Sequence, residues 1–117
     1  MDDIRCLIAD FPKRVLNDIL HHVIGQSSGF SVVAKSVESA ALCRQVQECA
    51  AEVVFIGMDS KVFPDICKEI FSSSKKTIMV GLVDDGRRAA IYIDDVGPSQ
   101  LLELVRAAKS KSTLDVA

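Results

Sequence analysis

The chain has 117 residues, enough for one domain with a single hydrophobic core, and its 49% apolar and 26% charged residues are an ordinary globular balance. No apolar stretch approaches the ~18 residues of a membrane helix, and a net charge of −2 argues against nucleic-acid binding by this segment. The opening Met1-Asp2-Asp3 runs straight into a strand-like stretch, so no signal peptide is expected and a cytoplasmic setting follows.

Ile4 to Ile8 reads as a buried strand. Pro12 suits the first turn of a helix in which Val15, Leu16, Ile19, Leu20 and Val23 recur at helical spacing, with Gly25 as its stop. Phe30 to Lys35 is rich in β-formers, and Ser36 is the expected N-cap of a helix with Leu42, Val46 and Cys49 on its inner face. Val53 to Ile56 is continuously apolar, as in a strand covered on both sides, and stops at Gly57. Pro64 opens a third helix with Phe63, Ile66, Cys67 and Ile70 on its apolar side. The run Thr77-Ile78-Met79-Val80 stops at Gly81. Glycine thus stands at two places where a parallel-sheet protein usually positions reactive side chains. The last helix starts at Pro98, with a buried stripe expected at Leu101, Leu104, Val105 and Ala108. The apolar pattern fades from Lys109, giving a domain over 1–110 and a tail or linker over 111–117.

Strands alternating with helices imply βαβ units and a parallel sheet wound on both faces. One connection departs from that rule. Between Leu82 and Ala89 only six residues remain, whereas a parallel crossover takes at least ~10–12. Asp85-Gly86 is a hairpin signal between strand-like runs, so Thr77–Val83 and Arg88–Ile93 are expected to pair antiparallel.

The run Ile4-Arg5-Cys6-Leu7-Ile8-Ala9-Asp10, followed by Pro12 and the first helix, resembles the start of response-regulator receiver domains, most of all those carrying a LuxR-type helix-turn-helix. The likeness extends through Ala51-Glu52-Val53-Val54-Phe55-Ile56 and to Gly97-Pro98 opening the final helix. It implies a three-layer α/β, CheY-like (flavodoxin-like) sheet of order 2-1-3-4-5, here without the fourth helix. In that family an acidic pair holds Mg²⁺, an aspartate ending strand three accepts a phosphoryl group, and a Ser/Thr and a lysine follow strands four and five. On this chain the resemblance places Asp10 with Phe11 at the acidic pair, Gly57 at the acceptor, Gly81 at the Ser/Thr and Asp94 at the lysine.

Those replacements remove chemistry. Phosphoryl transfer needs a nucleophilic oxygen, a cation for the transferring charge and a donor for the product. Gly57 has no such oxygen, and Asp94 repels phosphate where a lysine attracts it. The expectation is therefore a non-enzymatic, cofactor-free module that works by protein–protein contact. The alternative is a phosphate-accepting switch using Asp59, two residues past Gly57, with Asp10 and Mg²⁺.

No other chemistry emerges. There is no G-x-G-x-x-G, P-loop or nucleophile elbow. Cys6, Cys43, Cys49 and Cys67 lack C-x-x-C spacing and read as reduced thiols, while His21 and His22 point about 100° apart on a helix. Asp84, Asp85, Asp94 and Asp95 fall at opposite ends of the hairpin, and the doublets Lys75-Lys76 and Arg87-Arg88 read as solvated loops.

Without a fourth helix, part of one sheet face should lie uncovered although the hairpin is almost wholly apolar. That predicts a homodimer, with a regulatory protein as the other class of partner. Its expected interface is Ile78, Val80, Leu82, Ile91, Tyr92 and Ile93, joined by Leu102 and Val105 of the last helix.

Overall fold

The computed structural model describes residues 3–11, 13–57, 63–73, 77–83, 87–93 and 97–116, with side chains described through Ser110. The elements in chain order are β1 (Ile4–Ala9), α1 (Arg14–Gln26), β2 (Phe30–Val37), a 3₁₀ turn (Ser39–Ala41), α2 (Leu42–Cys49), β3 (Val53–Gly57), α3 (Phe63–Ser73), β4 (Ile78–Val83), β5 (Arg88–Tyr92) and α4 (Pro98–Val116).

The five strands form one sheet in the order β2-β1-β3-β4-β5. β1 pairs parallel with β2 and β3, and β3 pairs parallel with β4. β5 runs antiparallel to β4, with Met79 opposite Tyr92 and Val83 opposite Arg88. Only four residues separate those strands, too few for a crossover helix, so the missing helix and the reversed last strand have one cause. The hairpin turn itself, including Asp85-Gly86, lies outside the described residues.

β1 is the spine of the core. Its side chains alternate: Leu7 and Ala9 pack with Val54, Ile56 and Met79 beneath α2 and α3, while Cys6 and Ile8 pack with Phe11, Ile24 and Leu82 on the α1 side. Phe63, Ile66, Cys67 and Ile70 of α3 are all buried, as their spacing predicts, and so are Leu42 and Val46 of α2.

Several local expectations are corrected. Gly25 does not stop α1; it lies inside the helix, and the chain reverses at Gly29, whose φ of +87° is open to glycine. Ser36 is not an N-cap. It belongs to β2, which carries extra residues relative to β1 between the pairs Cys6–Val32 and Ala9–Val37, and it takes a left-handed φ of 54° within the second of these bulges. Glu38 precedes the following 3₁₀ turn instead, without a side-chain cap. β4 does not stop at Gly81, which pairs with Ile56 and Ala90 in mid-strand.

The largest departure is α4. Its start is well specified: Pro98 is the first helical residue, the Gln100 side chain accepts the Gly97 N–H at 3.1 Å, and Leu101 N–H donates to Gly97 O. The stripe expected to be buried is nonetheless open, with every residue from Pro98 to Ser110 exposed. The helix also continues to Val116, so most of the stretch expected as a tail has a helical backbone.

Candidate functional site

In a sheet of parallel strands the usual place for a ligand is the crevice outside their carboxyl ends. Here that edge holds Asp10, Phe11 and Gly57. Asp10 follows β1 and is exposed, and its backbone N–H donates to Val37 O at 2.9 Å, fastening the end of β1 to the end of β2. Phe11 is buried at 5% exposure and fills the space beside it with a ring. Gly57 closes β3, and Leu82 of β4 stands beside it in register. Among the described residues the edge presents the exposed carboxylates of Asp10 and Glu38, beside apolar groups and backbone.

Asn17 adds a feature that composition alone conceals. It is 4% exposed in the first turns of α1, its Nδ2 donates to Phe11 O at a long 3.5 Å, and its Oδ1 has no partner. Its spacing with Leu20 and Ile24 was the available signal, since i, i+3 and i+7 share a helix face. Asp59, Asp84, Asp85, Asp94 and Asp95 lie outside the described residues, as does the Lys75-Lys76 doublet. Among the described residues no three His, Cys, Asp or Glu side chains converge on a common point.

The amino edge is built differently. Arg5 N–H donates to Glu52 Oε1 at 3.1 Å, Arg5 Nε donates to Ala50 O at 3.0 Å, and Glu52 N–H donates back to Arg5 O at 2.8 Å. Buried Thr77 donates its hydroxyl to Ala51 O at 3.3 Å, and Ile78 N–H donates to Glu52 O. These bonds lock the starts of β1, β3 and β4 together beside a cleft of about 390 Å³ that Gln47 and Ser73 also line. They satisfy backbone groups at the amino edge.

Thiol chemistry is muted where it can be judged. Burial pushes the Cys6 thiol above its ordinary value, with the nearby Glu52 carboxylate adding to the effect, and burial alone does the same to Cys67. Both are held in the neutral form that neither attacks electrophiles nor binds metal well. All four cysteines are free; Cys43 Sγ lies 3.2 Å from Ser73 Oγ.

The remaining feature is the α1 face of the sheet. Alternation and register put Val53 and Phe55 of β3, Ile78, Val80 and Leu82 of β4, and Ile91 of β5 on this side, Val80 directly opposite Ile91. α1 lies over β1 and β2, burying Leu16, Leu20 and Ile24 in whole or part, and among the described residues no helix packs on β5 from this face, where Ile91 is exposed. Val15, Ile19 and Val23 of α1 are each more than half exposed. In a right-handed β1-α1-β2 crossover that flank looks toward β3 and β4. The result is an apolar groove: α1 forms one wall, β3 and β4 the floor, and Ile91, 63% exposed, the far side.

The residues expected at an interface divide on this geometry. Ile78, Val80 and Ile93 are half-buried, Ile91 is open, and Leu82 is buried at 8% beneath its neighbours. Tyr92 faces the opposite side, where its ring meets Phe63 edge-on with centroids 5.4 Å apart. Leu102 and Val105 lie on the exposed helix α4. Comparison with family models, curated proteins and solved structures gave no match. Among the described residues no helix is long and apolar enough to cross a membrane.

Proposed function

We propose that this chain is a receiver-like module, of CheY-like architecture, that acts by protein–protein contact and homodimerisation without accepting a phosphoryl group. The observation that carries the reading is the carboxyl end of β3, where Gly57 supplies no oxygen and its in-register neighbour is Leu82. A receiver works by covalent chemistry at that point, and a glycine there has no atom able to form the bond. The open groove on the α1 face supplies the complementary half: exposed contiguous apolar surface of this kind marks an interaction site.

The strand order and the lone Asp10 support the family likeness; the antiparallel β5 and the missing fourth helix set the chain apart from its usual form. On the same likeness the chain serves signal transduction or transcription regulation, as the regulatory part of a LuxR-type DNA-binding protein. The test is titration with beryllofluoride or acetyl phosphate in the presence of Mg²⁺, followed by amide NMR and intact mass. Unchanged spectra and mass are expected. Shifts clustered at residues 57–60, or a gain of one phosphoryl mass lost in an Asp59→Asn variant, would replace this reading with the phosphate-accepting one.

A further inference from the structure

The groove and helix α4 are open on the same chain, and we infer that they close on each other between two copies, α4 of one protomer lying in the groove of its partner and reciprocally. This deepens the dimerisation reading and rests on it. Three observations point to the exchange. From β3 across β4 to Ile91 of β5 the groove spans about 10 Å, which is the diameter of one helix. Helix α4 runs nineteen residues, about 28 Å, long enough to lie along the whole of six-residue β4, about 20 Å. Leu101, Leu104, Val105 and Ala108 recur at i, i+3, i+4 and i+7, so α4 carries one apolar stripe, and each of its residues is exposed.

An exposed helix of this kind is marginal in water, because most helical stability in proteins comes from packing an apolar face. The same chain supplies the missing surface. Five residues connect Tyr92 to Pro98, as many as join β3 to α3, yet where α3 comes to rest on the sheet, α4 stays exposed from Pro98 to Ser110. An exchanged pair also obeys the closure rule for a two-fold dimer: groove meets helix twice, with no face left over to propagate. Partly exposed side chains of this number, buried twice over, remove on the order of 1,000 Å² from water, the lower bound for a stable interface.

The experiment uses the full chain and two variants at exposed positions, Leu104→Asp on the helix and Ile91→Asp in the groove, with circular dichroism confirming that each folds. Sedimentation equilibrium should show a wild-type dimer and two monomeric variants, each weakened on the order of 100-fold. Mixing the two variants should restore a heterodimer, because one intact helix and one intact groove then meet. A dimer that survives Leu104→Asp overturns the exchange while leaving dimerisation in place. A wild-type monomer, with Ile91→Cys and Val105→Cys joined within one chain by a short bismaleimide, overturns both.

Discussion

Ala50 closes α2 at φ 51° and ψ 45°, the left-handed position that helices usually give to glycine. An alanine there sets its Cβ against the following carbonyl at a cost of roughly 1 kcal/mol. Ala50→Gly should therefore stabilise the fold by about 0.5–1 kcal/mol, read as a higher urea midpoint at unchanged slope. Ser36 is held in the same region by the β2 bulge, and no local sequence signal marks it; a serine before a helical stretch looks like a cap until the strand register is known. The buried thiols give a pH prediction. A thiol is neutral when protonated, so a folded value raised above the ordinary 9.0 leaves stability intact below that pH. As pH climbs from there through the folded values, the unfolded chain ionises first and stability falls. Denaturant midpoints should be level from pH 7 to 8.5 and decline above 9, and Cys67→Ala should flatten part of the decline.

At the level of elements, burial separates the helices sharply. Ile70 of α3 is fully buried against the sheet, and Ile70→Ala should cost about 2–5 kcal/mol by transfer and cavity terms together. Leu102 of α4 is 62% exposed and off the apolar stripe, so Leu102→Ala should stay within about 0.5 kcal/mol. Equilibrium unfolding of both variants checks the contrast. What could be read from the chain follows the same division. α3 was legible because Phe63, Ile66, Cys67 and Ile70 face one buried side, and the β4–β5 reversal because four intervening residues exclude a crossover. The end of α1 was not, since Gly25 in a helix interior is tolerated at about 1 kcal/mol and only Gly29 meets a conformation that demands it. α4 shows the deeper limit: periodicity identifies an apolar stripe but cannot say which surface, or whose, it meets. At the carboxyl edge, Asp10, Phe11 and Gly57 were legible residue by residue, whereas buried Asn17 emerges only from packing.

For the molecule as a whole, the sheet is covered on the α2–α3 side and half-covered on the α1 side. The radius of gyration, 14.3 Å, exceeds the roughly 13.4 Å of a compact chain of this length, as a projecting helix requires. If two copies complete each other, folding and association are linked by mass action. The denaturation midpoint should then rise with protein concentration, by about 1.4 kcal/mol per dimer for each tenfold increase. Leu104→Asp should abolish that dependence, and a series of unfolding curves across a hundredfold range of concentration would show it.

Reversing β5 also relocates the way out of the sheet. Tyr92 ends beside Met79, so the backbone departs at the pole where Arg5, Glu52 and Thr77 are clamped, opposite the pole of Asp10 and Gly57. A disturbance at the Asp10 pole reaches the root of α4 only along the length of the strands, about 20 Å of hydrogen-bonded lattice. The two ends are insulated by distance, and whatever grips the helix senses the clamped end first.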